Sequence, residues 1–210
     1  MTSYQNIFVP PWMVSGKDPT KAESASASLL EPEAHEVHHD ERKLYLESAL
    51  LETLIIPLFE NVNEICCTVS EFCTSSSCPD MNGPGMRLHP WYHEKGKKAK
   101  VSAPQYIDYV MTFIQNTIHD ETMFPTKAAN LFPSSFTIIV KKICELLFHV
   151  IAHLYENHFK EIVLLSLHAH LNCVFAHFVI FNENFQLVKK HETEILQDLA
   201  VAIKQNVSPQ

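Results

Sequence analysis

The sequence lacks the short motifs that mark several common enzyme classes. It contains no HExxH metalloprotease motif, no glycine-rich phosphate-binding loop and no G-x-S-x-G nucleophile motif. Internal repeats are absent as well, and charged residues make up only 19% of the chain. Because none of the usual catalytic signatures is present, we expect a protein without enzyme activity.

Long apolar runs are also missing. Charged residues or prolines interrupt every apolar stretch well before the roughly 20 residues that a membrane-spanning helix needs. At the N-terminus no basic region leads into an apolar run, and Pro10 and Pro11 lie where one would begin, so we expect no signal peptide. The six cysteines are then expected to be reduced thiols, in the cytosol or the nucleus.

The overall charge narrows the class of partner. The net charge is −8 with histidine neutral, so we do not expect a nucleic-acid partner. An acidic chain is better suited to binding a basic protein segment. A chain of 210 residues that is 46% hydrophobic has room for one domain and a tail. Prolines, a glycine and an alternating Ser–Ala run predict that residues 1–40 are a disordered N-terminal tail, followed by a domain over residues 41–205.

Apolar periodicity predicts an all-α bundle with one small β-hairpin. A first helix begins near Asp40 and should end or kink at Pro57, and a second covers residues 58–72. Later helices are predicted from Ser102, from Ser134 or Ser135 to Asn157, over residues 160–182 and over residues 192–205. The helix that ends at Asn157 is apolar nearly all round, so it should be central. The hairpin is predicted from residues 88–92 and 98–102, which flank a turn-like segment.

A C-x4-C pair, Cys73 and Cys78, is a candidate half-site for a metal ion because closely spaced thiolates can converge on one ion. Three histidine pairs are candidates for the other half. On spacing alone we favour His149 with His153, since residues i and i+4 lie about 40° apart around a helix. His153 with His158 requires the helix to end or bend near Asn157. The third pair, His168 and His170, is predicted to be two surface residues.

Several segments, in the same order along the chain, resemble the Mob family. The motif Glu71-Phe72-Cys73 followed by Cys78 is similar to that family's EFC-x4-C signature. The other matching segments lie at residues 97–111, 120–121, 124–127, 132–136, 147–155, 158–159 and 168–172. Together the matches extend over roughly residues 58–203, and they look most like the NDR-binding branch of the family.

The resemblance implies a structural zinc ion held by two cysteines and two histidines: Cys73, Cys78, His153 and His158. Four protein ligands leave no open position for water or substrate, so such a site is structural rather than catalytic. The resemblance also implies a non-enzymatic adaptor and co-activator in Hippo/NDR signalling. It would bind the basic N-terminal regulatory segment of an NDR/LATS-type protein kinase through an acidic surface.

The sequence departs from the family pattern in two places. The positions that are basic in phosphothreonine-binding members read Glu145, Leu146 and His149 here, so we expect no phosphothreonine peptide binding. The acidic segment that normally precedes the first core helix is missing, because residues 54–57 run directly into residues 58–61. We expect three glutamates to supply kinase contacts in its place: Glu52, Glu60 and Glu64. The alternative is a Mob-like scaffold subunit or a competitor that no longer activates a kinase.

Overall fold

The computed structural model describes residues 32–92, 98–125 and 132–207, with side chains described for residues 47–92, 98–125 and 132–205. The chain divides into two compact units, Met1–Leu44 and Tyr45–Gln210. Most of the predicted tail at residues 1–40 lies outside the described residues, so that boundary stays a prediction. No helix in the described ranges is long and apolar enough to span a bilayer.

The described residues form seven α-helices and four two-residue strands, which confirms the predicted all-α class with a small hairpin. Two 3₁₀ turns, Pro84–Met86 and Glu194–Leu196, join neighbouring elements. In chain order the helices and strands are α1 (Pro32–Val69), β1 (Asn82–Gly83), β2 (Arg87–Leu88), β3 (Trp91–Tyr92), β4 (Lys98–Ala99), α2 (Ala103–Ile118), α3 (Phe136–Asn157), α4 (Phe159–Leu164), α5 (His168–Phe185), α6 (Lys190–Thr193) and α7 (Gln197–Val207).

Helix α1 is one continuous helix where two were predicted. It begins at Pro32 rather than near Asp40, and proline is well tolerated in the first turn, where its missing N–H has no partner to lose. It also continues through Pro57, which is exposed, as is Thr53, the residue whose carbonyl the missing N–H would have bonded. Water can therefore reach that carbonyl. On the opposite face a buried apolar stripe continues without a break: Leu51, Ile55, Leu58, Val62, Ile65 and Val69.

Helix α3 is the centre of the core, as its all-round apolar pattern predicts. Nine consecutive residues, Leu146 to Leu154, are buried, so neighbouring elements cover every face of this part of the helix. Phe148 stacks on Phe178 of α5 with ring centroids 5.4 Å apart. Ser135 precedes the helix, as predicted, but makes no side-chain capping hydrogen bond.

Two antiparallel hairpins connect α1 to α2. Strands β3 and β4 pair Trp91 with Ala99, which confirms the predicted hairpin, while its turn lies outside the described residues. The other hairpin, β1 with β2, was not predicted from the sequence. Its turn depends on Gly85, whose φ of 69° is in the left-handed region that favours glycine.

The predicted single helix over residues 160–182 is instead two helices, α4 and α5. The chain leaves the helical path between Leu165 and Leu167, where Ser166 has a φ of 61°. Helix α4 buries Ile162 but leaves Leu164 83% exposed. The short helix therefore contacts the core along one face only.

Replacing Pro57 with alanine should stabilise the protein. Alanine restores the missing backbone hydrogen bond in an exposed helix interior, for an expected gain of about 1–2 kcal/mol after the greater freedom of the unfolded chain is counted. Urea unfolding of the Pro57→Ala variant tests this. The matched control is Pro104→Ala in the first turn of α2, where no gain is expected. A lower unfolding midpoint for Pro57→Ala would contradict our account of α1.

Candidate metal centre

Cys73, Cys78, His153 and His158 form one buried cluster, and their ligand atoms all lie within 4.8 Å of one another. The Cys73 Sγ lies 3.7 Å from the His153 Nε2, and the Cys78 Sγ lies 3.4 Å from the His158 Nε2. The exposed fraction is at most 7% for each of the four residues. Among the described residues, this is the only group of histidine, cysteine and acidic side chains with metal-ligand spacing.

The loop after α1 positions the two thiols. The Cys73 amide donates to the Val69 carbonyl at 3.2 Å, and the Cys78 amide donates to the Thr74 carbonyl at 2.8 Å. The hydroxyl of Ser77 donates to the Phe72 carbonyl at 2.6 Å, which closes the loop between the cysteines. Local hydrogen bonds thus hold both sulfur atoms on the inner side of the loop, facing α3.

The end of α3 explains how two histidines five residues apart share one site. Residues at i and i+5 of a regular helix point about 140° apart. Here α3 ends at Asn157, and His158 has φ −125° and ψ 8°, outside helical geometry. The two imidazole rings consequently lie with their centroids 5.2 Å apart.

The hairpin strand β1 orients the ring of His153. The His153 Nδ1 lies 2.8 Å from the carbonyl oxygen of Asn82, and because a carbonyl only accepts, Nδ1 carries the proton. The lone pair is then on Nε2, the atom that faces Cys73. Asn157 holds the same strand by donating to the Asn82 Oδ1 at 3.0 Å. Such a second partner on a ligating histidine is typical of metal sites.

Gly83 allows β1 to approach α3 this closely. A Cβ at this position would lie 3.3 Å from the Cβ of Ala152 and 3.4 Å from the His89 Nε2. The contact with Ala152 is tighter than most contacts of a Cβ and would require a shift of a few tenths of an ångström, so a glycine here eases the close approach of the carbonyl that supports His153.

Burial sets the protonation of the cluster. Desolvation lowers the pKa of His153 to about 4 and also lowers the pKa of His158, so both rings are neutral at pH 7. Desolvation, followed by the neighbouring Cys78, raises the pKa of Cys73 to about 12. Neutral imidazoles can coordinate a cation directly, whereas the thiols need a nearby positive charge to ionise.

The four donors fit a tetrahedral zinc ion. With Zn–S bonds of about 2.3 Å and Zn–N bonds of about 2.0–2.1 Å, neighbouring sulfur and nitrogen ligands would lie about 3.6 Å apart. The two sulfur–nitrogen distances, 3.7 Å and 3.4 Å, bracket that value. Two soft thiols, two imidazoles and no carboxylate are a donor set that suits zinc better than magnesium or calcium.

The other candidate histidines lie outside this cluster. His149, favoured on spacing alone, has its Nδ1 2.8 Å from the Tyr106 hydroxyl and stacks on His89 at 3.9 Å. It is therefore a core residue shared by α2, α3 and the segment after β2. His168 and His170, predicted to be surface residues, are half-buried at the start of α5.

The three glutamates expected to contact a kinase lie on α1. Glu60 lies eight residues after Glu52 and four residues before Glu64, so Glu60 and Glu64 share one side of the helix. Glu60 and Glu64 are exposed and line a groove of about 290 Å³ between α1 and α2. Glu52 is partly buried, and desolvation raises its pKa. The apolar lining of the groove comes from Ile56, Phe59 and Ile118.

Glu145, Leu146 and His149 line a different cavity, of about 170 Å³. Lys142 and Arg87 also line it, but each is paired with an acid: Lys142 with Glu145 at 3.3 Å and Arg87 with Glu192 at 2.7 Å. The cavity thus holds two cations and two anions, a balanced set that gives a phosphate dianion no net attraction.

Sequence reasoning missed Asn82 and Asn157, the two residues that support His153. No hairpin is predicted above from the run Asn82-Gly83-Pro84-Gly85, although its prolines and glycines indicate a turn, which the structure places at Pro84–Met86. A turn signal of this kind gives no indication that the hairpin packs against the end of α3.

Comparison with known proteins shows that the chain is similar in sequence to proteins named MOB kinase activators. It is 58% identical to MOB kinase activator-like 2 of Drosophila melanogaster over 149 residues, which are 71% of this chain and 26% of that protein. It is 48% identical to MOB kinase activator 2 of Homo sapiens over 141 residues, 67% of this chain and 59% of that protein. It is 41% identical to the maintenance of ploidy protein mob2 of Schizosaccharomyces pombe over 150 residues, 71% of this chain and 62% of that protein.

These alignments span about a quarter of the fly relative and about 60% of the other two. The sequence profile of the Mob1/phocein family matches residues 47–196, a range that contains the four cluster residues and the three α1 glutamates. Because this match covers more than half of the chain, and the fly, human and yeast relatives align over at least two thirds of it, the protein belongs to the Mob1/phocein family.

Proposed function

We propose that this protein is a non-enzymatic adaptor and co-activator that binds the basic N-terminal regulatory segment of an NDR/LATS-type kinase. The observation that carries the proposal is the groove between α1 and α2, which has an apolar lining and acids on the α1 side. The fly and human relatives are named as kinase activators, which supports a kinase as the partner.

The charge of the two helices favours a basic ligand. From Glu47 to Val69, α1 carries four glutamates and no lysine or arginine, and α2 carries one aspartate and neither basic residue. Phe59 is 4% exposed and forms part of the lining, so the groove offers apolar contact as well as charge. An amphipathic helix with an apolar stripe beside Lys or Arg residues four apart would match both features.

The metal in this proposal is a structural zinc ion, held by Cys73, Cys78, His153 and His158. When bound, it would join the loop after α1 to the end of α3. Because α1 also carries the groove glutamates, the ion would stabilise one wall of the docking surface. The four side chains that would bind the ion are all buried, and four protein ligands suit a structural role rather than catalysis.

The alternative is a Mob-like scaffold subunit or competitor that binds a kinase segment without activating it. The absent acidic segment before the first core helix favours this alternative, since the missing residues would have provided kinase contacts. Kinase activity measured with and without the protein separates the two, because both bind but only a co-activator raises the rate. Either role fits a location in the cytosol or the nucleus.

Zinc removal should unfold the domain. We expect one zinc ion per chain by elemental analysis, and loss of the cooperative thermal transition when a strong chelator removes it. Cys78→Ser and His158→Ala should each lower stability by at least about 5 kcal/mol, since metal binding and folding are coupled. The matched control is Cys173→Ser, which changes an exposed thiol outside the cluster. Purified protein that melts normally without metal would rule out a structural zinc.

Kinase docking should depend on salt and on the α1 glutamates. Exposed charges are screened over about 8 Å at physiological ionic strength, so affinity for the kinase segment should fall as salt rises. The double variant Glu60→Lys/Glu64→Lys should bind about tenfold more weakly, measured by fluorescence anisotropy with a labelled kinase segment. Its charge-matched control, Glu121→Lys/Glu194→Lys, changes two other exposed acids and should bind normally. Equal weakening in both variants would exclude the groove as the docking site.

Phosphothreonine peptides should not bind the cavity beside Glu145. Its two cations are already paired with acids, so isothermal titration calorimetry should show a dissociation constant no tighter than about 1 mM. The unphosphorylated peptide is the control. Binding that is tight and requires the phosphate would show that the paired acids do not block the cavity.

A further inference from the structure

Asn82 and Gly83 form the only Asn–Gly pair in the sequence, and they make up strand β1 beside the metal cluster. An asparagine followed by glycine is especially prone to deamidation. Glycine has no side chain to hinder attack of its backbone nitrogen on the asparagine carboxamide, and its backbone rotates freely. The strand that supports His153 is therefore also a chemically reactive segment.

Packing against the end of α3 accounts for both residues of the pair. The backbone carbonyl of Asn82 lies 2.8 Å from the His153 Nδ1, and the side-chain Oδ1 of Asn82 accepts from the Asn157 Nδ2 at 3.0 Å. A Cβ at Gly83 would lie 3.3 Å from the Cβ of Ala152, so glycine eases the close approach of the strand. The contacts that support His153 thus favour asparagine followed by glycine in this strand.

The folded strand keeps the pair away from the reactive geometry. Strand β1 pairs with β2, with Asn82 opposite Leu88 and Gly83 opposite Arg87, and this pairing limits rotation of the backbone. Gly83 itself is extended, with φ −124° and ψ −170°. Deamidation requires the Asn82 carboxamide to turn toward the Gly83 nitrogen, and that movement would break its hydrogen bond with Asn157.

We infer that Asn82 is a deamidation site that packing of the β1–β2 hairpin against α3 suppresses and that loss of the metal centre exposes. The effect of metal loss rests on the proposed structural zinc ion, which would fix His153 and the loop after α1 at the end of α3. Without the ion, two buried imidazoles and two buried thiols lose their common partner, and the hairpin can separate from the helix.

The reaction needs only water. The Gly83 backbone nitrogen gives its proton to water or hydroxide and attacks the Asn82 Cγ, and the side-chain nitrogen leaves as ammonia. Water then opens the resulting succinimide ring at either carbonyl, which gives aspartate or isoaspartate. The net change consumes water and releases ammonia, and nothing is oxidised or reduced.

Deamidation would make loss of the metal centre irreversible. In isoaspartate the main chain passes through the side-chain carbon, so the strand gains a methylene group and the carbonyl that faces the His153 Nδ1 becomes a free carboxylate. The lengthened strand cannot keep both its register with β2 and its close contact with α3. His153 then loses the fixed partner that holds its lone pair on Nε2.

Peptide mapping by mass spectrometry tests the inference on the full chain, kept at neutral pH either with zinc or after treatment with a strong chelator. Conversion of Asn82 to aspartate and isoaspartate should be at least about tenfold faster in the chelated protein, because local opening releases the pair. Freshly chelated protein should bind zinc again when the ion is returned, whereas protein aged until Asn82 has converted should not. Equal rates with and without zinc, or full zinc binding by the converted protein, would overturn the inference.

The Asn157→Ala variant tests the protection without removing metal. It deletes the partner of the Asn82 carboxamide but leaves the four cluster residues in place, so Asn82 should convert faster than in the wild type. Asn82→Gln is the matched control, since glutamine keeps the amide but closes a larger ring much more slowly. Asn184, an exposed asparagine followed by phenylalanine, should convert slowly in every sample.

The two arms separate this inference from the proposed zinc site. Wild-type protein that never binds zinc would contradict the metal centre, while faster conversion in Asn157→Ala would still support the protection of Asn82. Equal conversion in a folded Asn157→Ala variant and in the wild type would overturn that protection. If Asn157→Ala does not fold, the chelation experiment on the wild-type protein decides.

Discussion

The meeting of two thiols with two imidazoles at the end of α3 is the contact on which the rest of the architecture depends. Each thiol is separated from the histidine that it faces by 80 residues. Closing a loop of that length costs conformational entropy. A contact that holds the loop closed therefore reduces the conformational freedom of the unfolded chain. The same junction fixes where α1 ends, where α3 ends and where α4 begins, because all three boundaries lie within a few residues of a cluster member.

Much of this organisation could be predicted from local sequence. The all-round apolar pattern of α3 indicated a central helix because only a helix surrounded by others can bury every face, and nine consecutive buried residues agree with that. Pro57 was misleading because the cost of an internal proline depends on whether water reaches the freed carbonyl, which the sequence does not reveal. Similarly, spacing favoured His149 over His158, since spacing rules assume that a helix continues, and here it ends one residue before His158.

The remaining features are products of tertiary packing. Asn82 supports His153 through its backbone carbonyl. Because every residue has such a carbonyl, the identity of residue 82 gives no indication of this contact. Gly83 permits the close approach of β1 to α3, yet a glycine in a segment rich in glycine and proline needs no such partner to be explained. The pairing of Arg87 with Glu192 joins residues that are 105 positions apart, so periodicity and local motifs could not indicate it. Long-range partners of this kind were beyond the reach of pattern reasoning.

The complete burial of α3 from Leu146 to Leu154 also limits how this family can diversify. A substitution in that stretch must fit a closed space, and changes of even one methylene group are felt in such a core. Partly exposed positions just outside it, such as Glu145, can change charge without disturbing the packing. New ligand preferences would therefore arise at positions of the helix that line a cavity, such as Glu145, Leu146 and His149, while positions that contact only the core change more slowly. Two paralogues could in this way share an almost identical scaffold and still recognise chemically opposite partners.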